Sequence, residues 1–252
     1  WPTSSPIPVT FEAERATVRS CRCPRTHRRS TDCCVASDAT PRGSHRLEHP
    51  VVRYSQPVPR SSVAVAKANR QRIIDTAVAR ASVEGLHGVT LGPLADELGM
   101  SKAGVIAPFG SRAALLDAVL ERACEVFVQQ VVAPAYLTEP GLRRLHALID
   151  RWVDYLTDGP LPNGSFVIAS ECELDGRPGA LRDQLARVVS NWHDVLRREI
   201  DVAIERGELV GDPNDLVFTL VGLAMATNQA VQLDADTSAA QRARRLMRDA
   251  LV

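Results

Sequence analysis

Apolar residues recur at helical spacing along most of the chain after residue 67, and capping residues and glycines divide them into segments. Between residues 68 and 83, Ile73, Ile74, Ala77, Val78 and Ala81 share one face, with Arg70, Arg72, Asp75 and Arg80 between them, which predicts an amphipathic helix ended by Gly85 and Gly88. Thr90 stands where it can cap the next helix, and Pro93 falls in its first turn, where a missing N–H costs nothing. Leu94 and Leu98 lie four apart on its inner face, with small Ala95 allowing a close crossing. Gly99 supplies a left-handed C′ residue, and Ser101 caps a further helix that opens with Lys102 and Ala103. Pro108 stops this helix early, because proline disfavours a helical conformation at Ala107. Ser111 caps a fourth helix carrying Leu115, Leu116, Val119, Leu120 and Val126. Two short helices joined by a glycine turn are a helix-turn-helix pattern, whose second helix presents its N-terminal residues to a DNA groove.

The rest of the chain continues in helices. Pro134 and Pro140 bracket a break, followed by a helix over 141–157 with Leu142, Leu145, Leu148, Ile149, Trp152 and Leu156 on its apolar side. Residues 158–164 are loop chemistry, and Ser165 caps a short apolar helix running through Phe166, Ile168 and Cys172. A turn at 175–179 leads into a long amphipathic helix ending near Arg206, marked by Leu185, Trp192, Leu196 and Ile200. Asp212-Pro213 is a cap with proline at the first helical position, and the helix it starts is apolar on almost every face. A final helix is expected over 237–252, with Ala243, Leu246 and Met247 on its apolar side. The fold class is all-α, with an N-terminal three-helix helix-turn-helix domain (65–112) and a C-terminal helical domain (113–252).

Charge changes the picture by region. The 30 basic and 30 acidic residues cancel over the whole chain. Residues 1–62 carry a net +5, residues 63–122 a net +1, and residues 123–252 a net −6. The acidic excess therefore lies in the C-terminal part, as suits a part that faces away from phosphate. Lys67 and Lys102 are the only lysines. No run of eighteen apolar residues occurs, so no membrane partner is expected.

Residues 1–64 have no helical or strand period and little apolar surface, which favours disorder. Cys21, Cys23, Cys33, Cys34 and His27 are zinc-ligand types, but neither cysteine pair has the two-residue gap that lets thiolates converge on a metal. Neither metal nor cofactor is expected. Cys124 and Cys172 are read as small buried hydrophobes, with oxidation sensing as the alternative. Glu171, Glu173 and Asp175 cluster near residue 173, yet only Glu171 and Asp175 share a helix face, and no P-loop, dinucleotide fingerprint or nucleophile elbow appears. An enzyme is not expected.

The segment 66–120 resembles the tetracycline-repressor (TetR) family of transcriptional regulators. The resemblance is carried by Arg72-Ile73-Ile74, Ala77, Gly85, Thr90, Leu94-Ala95, Leu98-Gly99, Ser101-Lys102, Phe109, Ser111-Arg112 and Leu115-Leu116. It implies a homodimer that binds a palindromic double-stranded DNA operator and responds to a small-molecule effector in the cytoplasm, acting as a repressor more than as an activator. DNA contacts are expected from Lys67, Arg70, Thr90, Ser101, Lys102, Ala103, Gly104, Ile106 and Arg112. Where this chain has Ile106 and Pro108, the family commonly has an aromatic residue and a histidine that hold phosphate, and it commonly has lysine at Arg112. A helical small-molecule-binding module that has lost DNA binding is therefore the alternative.

The resemblance further implies an effector cavity among the middle helices, with Phe127, Trp152, Tyr155, Phe166, Ile168, Cys172, Trp192 and Val195 as candidate lining. It also implies a four-helix dimer interface made by the last two helices, here through Phe218, Val221, Gly222, Met225, Leu246 and Met247. An all-round apolar helix with only one helix after it fits that expectation, since it needs burial on most faces; burial within one subunit is the alternative. Relatives usually begin about ten residues before their first helix. On that basis residues 1–64 are expected to be disordered or not natively translated, with initiation at Val65; an authentic basic arm is the alternative.

Overall fold

In the computed structural model, which describes residues 60–252, every regular element is a helix. The expectations for residues 1–59, including the cysteine cluster, lie outside the described residues. Helix α1 (Arg60–Gly88) begins earlier than the apolar periodicity suggested. Residues 60–64, expected to belong to an irregular extension, are helical, and Val63, Ala64, Val65 and Ala66 stay exposed. Near its end α1 breaks at Gly85, whose φ of 77° lies in the left-handed region that glycine adopts without steric cost.

Helices α2 (Leu91–Leu98), α3 (Lys102–Ile106) and α4 (Arg112–Phe127) follow. Gly99, with φ 63°, ends α2, and Met100 donates back to Ala95 O at 2.9 Å, closing the turn. Ser101 and Ser111 cap α3 and α4 through their hydroxyls, which accept from Gly104 N at 3.0 Å and Ala114 N at 3.1 Å. Thr90 departs from expectation: its backbone carbonyl accepts from Leu94 N, but its hydroxyl makes no cap bond. Ala107 departs too, remaining helical in backbone (φ −53°, ψ −41°) ahead of Pro108. The helix still ends at Ile106, because the N–H groups of Phe109 and Gly110 both turn back to Ile106 O.

A π-helical segment, Val128–Val132, and a single turn α5 (Ala133–Ala135) carry the chain to α6 (Leu142–Asp158). Then come α7 (Phe166–Leu174), α8 (Ala180–Glu205), α9 (Pro213–Gln232) and α10 (Ala239–Asp249). No helix among the described residues is long and apolar enough to cross a membrane.

Two apolar clusters hold the molecule together. One joins Ile73, Ala77 and Val78 of α1 to Leu94, Val105, Leu115 and Val119, and reaches Phe166 and Leu174 of α7 and Leu185 of α8. The other gathers Leu145, Leu148, Ile149 and Trp152 of α6 with Leu196, Ile200, Leu220, Ala224 and Met247. Helix α7 serves both, since its Ile168 lies in the second. Burying each of these Leu, Ile or Phe side chains is worth about 1.5–3 kcal/mol, so α7 is held by both clusters rather than hung between them.

Glu199 and Arg144 form a paired polar site where the helices converge. Glu199 of α8, 1% exposed, accepts from Gly141 N at 3.0 Å and from Arg144 Nη1 at 3.2 Å. Arg144 in turn lies over the Tyr136 ring at 4.4 Å and donates to Thr138 O at 2.8 Å, tying the break after α5 to the start of α6. Between α10 and α6, Arg248 donates to Asp150 at 2.6 Å, and Arg244 bonds Asp154.

Candidate nucleic-acid interface and effector core

Helix α3 exposes one side and anchors the other. Val105 is fully buried, while Ser101, Lys102 and Ala103 are exposed and Gly104 is half-buried. The Lys102 side chain runs back past α2, so that a methyl group added at Gly92 would lie 3.7 Å from its ammonium nitrogen. An ammonium is thus brought to the positive end of α2, where Thr90 and Pro93 are also exposed. Lys67 and Arg70 lie exposed on α1. Arg70 sits 5.0 Å above the Phe109 ring, which holds its guanidinium beside the end of α3.

Two of the expected DNA contacts are engaged elsewhere. Ile106 is half-buried and packs on the N-terminal apolar cluster, because the short helix needs a second anchor beside Val105. Arg112 donates through Nε to Val89 O at 3.2 Å and through Nη2 to His87 O at 3.5 Å. Its guanidinium thereby donates to carbonyls between α1 and α2, a bracing role that the sequence pattern did not reveal. Arg72 acts similarly, donating to Leu98 O at 2.9 Å and clamping α1 to the end of α2. Arg122 of α4 bonds Asp75 of α1 at 2.8 Å, and that hydrogen bond raises the guanidinium's already high pKa.

The joint between the N-terminal helices and α7 is polar. Glu173 accepts from the backbone N–H groups of Leu86 and His87 at 2.7 and 2.8 Å, and also bonds the His87 ring. These N–H groups are free because Gly85 breaks α1 immediately before them. Burial alone would raise the Glu173 pKa, but the bonds from His87 and Leu86 outweigh it and hold the carboxyl below its ordinary range. Arg177 lies 2.8 Å from His87 Nε2, and beside this joint opens a cleft of about 340 Å³ whose lining includes Leu86, Arg112, Leu116, Arg177 and Leu181.

Most of the expected effector residues come together, but not all. Phe127, Trp152, Tyr155 and Trp192 form one aromatic cluster, with edge-to-face ring pairs at 4.9–5.2 Å, and Ile168 and Val195 belong to the same apolar core. Phe166 does not join them: it is buried in the N-terminal cluster, about 200° around α7 from Ile168. Cys172 is exposed on α7, which corrects the expectation of a buried, pocket-lining residue. Cys124 is half-buried beside Tyr155, and burial pushes its thiol up to about 12, so it stays protonated and unreactive.

The last two helices leave one apolar face open. Phe218 is 81% exposed, and Gly222, Met225 and Leu246 are exposed as well, with Val221 half-buried beside them. Met247 does not belong to this face. It is fully buried within the chain's own core, because the i+1 position on α10 points about 100° away from Leu246 and into α6. Among the described residues no group of three or more His, Cys, Asp or Glu side chains is placed to hold a metal ion.

Comparison with known proteins matches this architecture at both ends. Residues 73–119 match the model for bacterial regulatory proteins of the tetR family, and residues 141–247 match that for the tetracyclin repressor-like C-terminal domain. Among solved structures, a TetR transcriptional regulator from Chloroflexus aurantiacus is 20% identical over 73% of this chain and 95% of its own, with a TM-score of 0.68. A protein from Saccharomonospora viridis, solved in complex with choline, is 22% identical over 73% of this chain and 95% of its own, with a TM-score of 0.64. AibR, solved with isovaleryl coenzyme A and operator DNA, is 21% identical over 71% of this chain and 96% of its own, with a TM-score of 0.60. No curated protein matches the chain.

Proposed function

This chain belongs to the tetR family of bacterial regulatory proteins, a family of DNA-binding transcription regulators with ligand-binding C-terminal domains, and from that premise we propose that it is a cytoplasmic, effector-responsive repressor that binds a palindromic operator as a homodimer. The observation that carries the reading is α3, which keeps Val105 in the core and turns Ser101, Lys102 and Ala103 outward beside the exposed N-terminus of α2. A DNA phosphate at this point receives an ammonium and unpaired helix N–H groups together. Arg70, steadied on Phe109, supplies a second cation on the same side of α3's end, and Lys67 a third further along α1.

The exposed Phe218, Gly222, Met225 and Leu246 support a homodimer sealed by α9 and α10. A two-fold pair sets two α3 helices on successive major-groove faces, roughly 34–36 Å apart. Residues 65–112 act as the reading domain and residues 113–252 as the effector and dimerisation domain. The effector core is the aromatic cluster of Phe127, Trp152, Tyr155 and Trp192, with Ile168 and Val195 around it. Solved relatives of the same fold carry choline or isovaleryl coenzyme A. Those two ligands have little chemistry in common, so the shared fold does not fix the effector.

One observation favours a module without DNA affinity: Arg112 is committed to backbone carbonyls, and Ile106 and Pro108 have no side-chain donor for phosphate. Selection of bound fragments from random double-stranded DNA, followed by fluorescence anisotropy at two salt concentrations, decides between the two. Enrichment of a palindrome bound by two chains with salt-dependent affinity supports the repressor reading. No enrichment removes it and leaves the effector-binding module.

A further inference from the structure

Two buried donors in the aromatic cluster have no partner. Tyr155 is 3% exposed, and neither its hydroxyl nor the indole N–H of Trp192 reaches solvent or any acceptor. Both belong to side chains packed on Phe127, whose ring meets Tyr155 at 5.2 Å and Trp192 at 4.9 Å. Buried polar atoms are normally satisfied, so two orphans on rings that both pack against one phenyl ring require an explanation. Arg80 and Arg197 also leave an Nε unpaired, but each pairs its terminal nitrogens with a carboxylate. Tyr155 and Trp192 have no second polar atom to compensate.

The character of the site follows from what surrounds it. Burial pushes the Tyr155 phenol far up, with the nearby Cys124 thiol as a smaller cause. Both stay neutral at physiological pH. Indole N–H is a donor only, and a phenol that no base deprotonates offers its hydrogen as readily. A cation would leave both donors unpaired and meet their positive edges. An anion would be stripped of water among aromatic rings, at a large desolvation cost. A flat apolar body, by contrast, matches the edge-to-face ring geometry.

Resting on the reading of the C-terminal domain as effector-binding, we propose that the effector is an uncharged molecule with a flat, apolar body and an acceptor oxygen, seated beside Phe127 and hydrogen-bonded by the Tyr155 hydroxyl and the Trp192 indole N–H. Phe127 is the last residue of α4 and is followed directly by the π-helical segment, where i→i+5 bonding replaces the regular ladder. A ligand pressing on Phe127 therefore acts where the backbone already departs from the α-helix.

The test uses the full chain and four probes of similar size: acetophenone, ethylbenzene, benzoate and choline. Binding is read by intrinsic tryptophan fluorescence and by the shift in melting temperature. Acetophenone is expected to bind about tenfold more tightly than ethylbenzene, which has the same shape without the acceptor, and more tightly than benzoate or choline. Tyr155→Phe and Trp192→Phe should each weaken acetophenone by about tenfold and leave ethylbenzene unchanged. Tyr155→Phe should also melt no lower than the parent without ligand, since it deletes an unpaired hydroxyl, which separates lost recognition from lost folding. Equal binding of acetophenone and ethylbenzene, preference for benzoate or choline, or no response to any probe overturns the assignment. DNA binding is measured in the same samples. Retained operator binding with no probe response sinks the ligand class alone, whereas acetophenone binding without any DNA binding supports the ligand class and sinks the repressor reading.

Discussion

Glu173 accepts the backbone N–H of His87 at 2.8 Å, joining residues 86 positions apart across the boundary between the reading helices and α7. The same carboxylate takes Leu86 N and the His87 ring, so one side chain holds the whole turn that follows the break at Gly85. Glu173→Ala leaves two backbone donors without their acceptor and should cost about 1–3 kcal/mol, a fall of a few degrees in melting temperature for a chain of this size. Glu173→Gln tests the charge. Because the folded carboxyl titrates below its ordinary range, its stabilisation is complete above the unfolded value of about 4.3 and is lost as pH falls through the lower folded value. Melting curves from pH 7 down to pH 3 should therefore decline less steeply in Glu173→Gln than in the parent.

Lys102 offers charge without sequence reading. Lys102→Ala should weaken binding to selected and random DNA alike, and should reduce the slope of log affinity against log salt by about 0.9 for each phosphate contact removed. An unchanged slope would take Lys102 off the interface and leave Arg70 and the α2 N-terminus to carry it.

One residue on each of α9 and α10 separates association from folding. Phe218→Glu adds a charge to an exposed apolar face and should turn the dimer into a folded monomer in sedimentation, with little change in the melting of the single chain at low concentration. Met247→Ala removes a fully buried side chain and should cost about 2–5 kcal/mol at any concentration. If Phe218→Glu sediments as a dimer, the open face of α9 is not the seal between subunits.

The Arg144–Glu199 pair is a third kind of support. Glu199 is almost wholly enclosed, so Arg144→Met strands its charge and should destabilise the chain by about 3–5 kcal/mol. Chemical denaturation of Arg144→Met and of Arg144→Met with Glu199→Gln measures this directly. The double variant should recover part of the loss, although Gly141 N keeps a weaker acceptor there.

Local chemistry carried the sequence reading a long way. The turn at Gly99, the serine caps at Ser101 and Ser111, and the proline start of α9 are each decided by a few adjacent residues, and all are found where the residue types call for them. Contacts between distant segments were harder. Nothing near Glu173 signals that its partners are Leu86 and His87, and nothing near Arg112 signals that it braces the end of α1. Register was the other limit: Leu246 and Met247 are both apolar on one amphipathic helix, and only the packing of α10 against α6 decides which of them the core takes. The effector cavity implied by the family resemblance takes in Phe166 and Cys172, but α7 is shared between two cores and solvent, so Phe166 goes to the N-terminal cluster and Cys172 is left exposed.

Helix α4 is common to both cores, with Leu115 among the reading helices and Phe127 in the aromatic cluster. Its sixteen residues form a rod about 24 Å long, stiff over most of that length and altered only at the π-helical end. A tilt of about 5° pivoting at Phe127 displaces the far end by about 2 Å over that length. In a two-fold pair the displacements add, so the spacing of two reading heads shifts by up to about 4 Å against a helical repeat of roughly 34–36 Å. In the proposed dimer, control of a gene would then reduce to leverage: a lost match between two fixed lengths, with no helix melted and no contact in the reading head itself rebuilt.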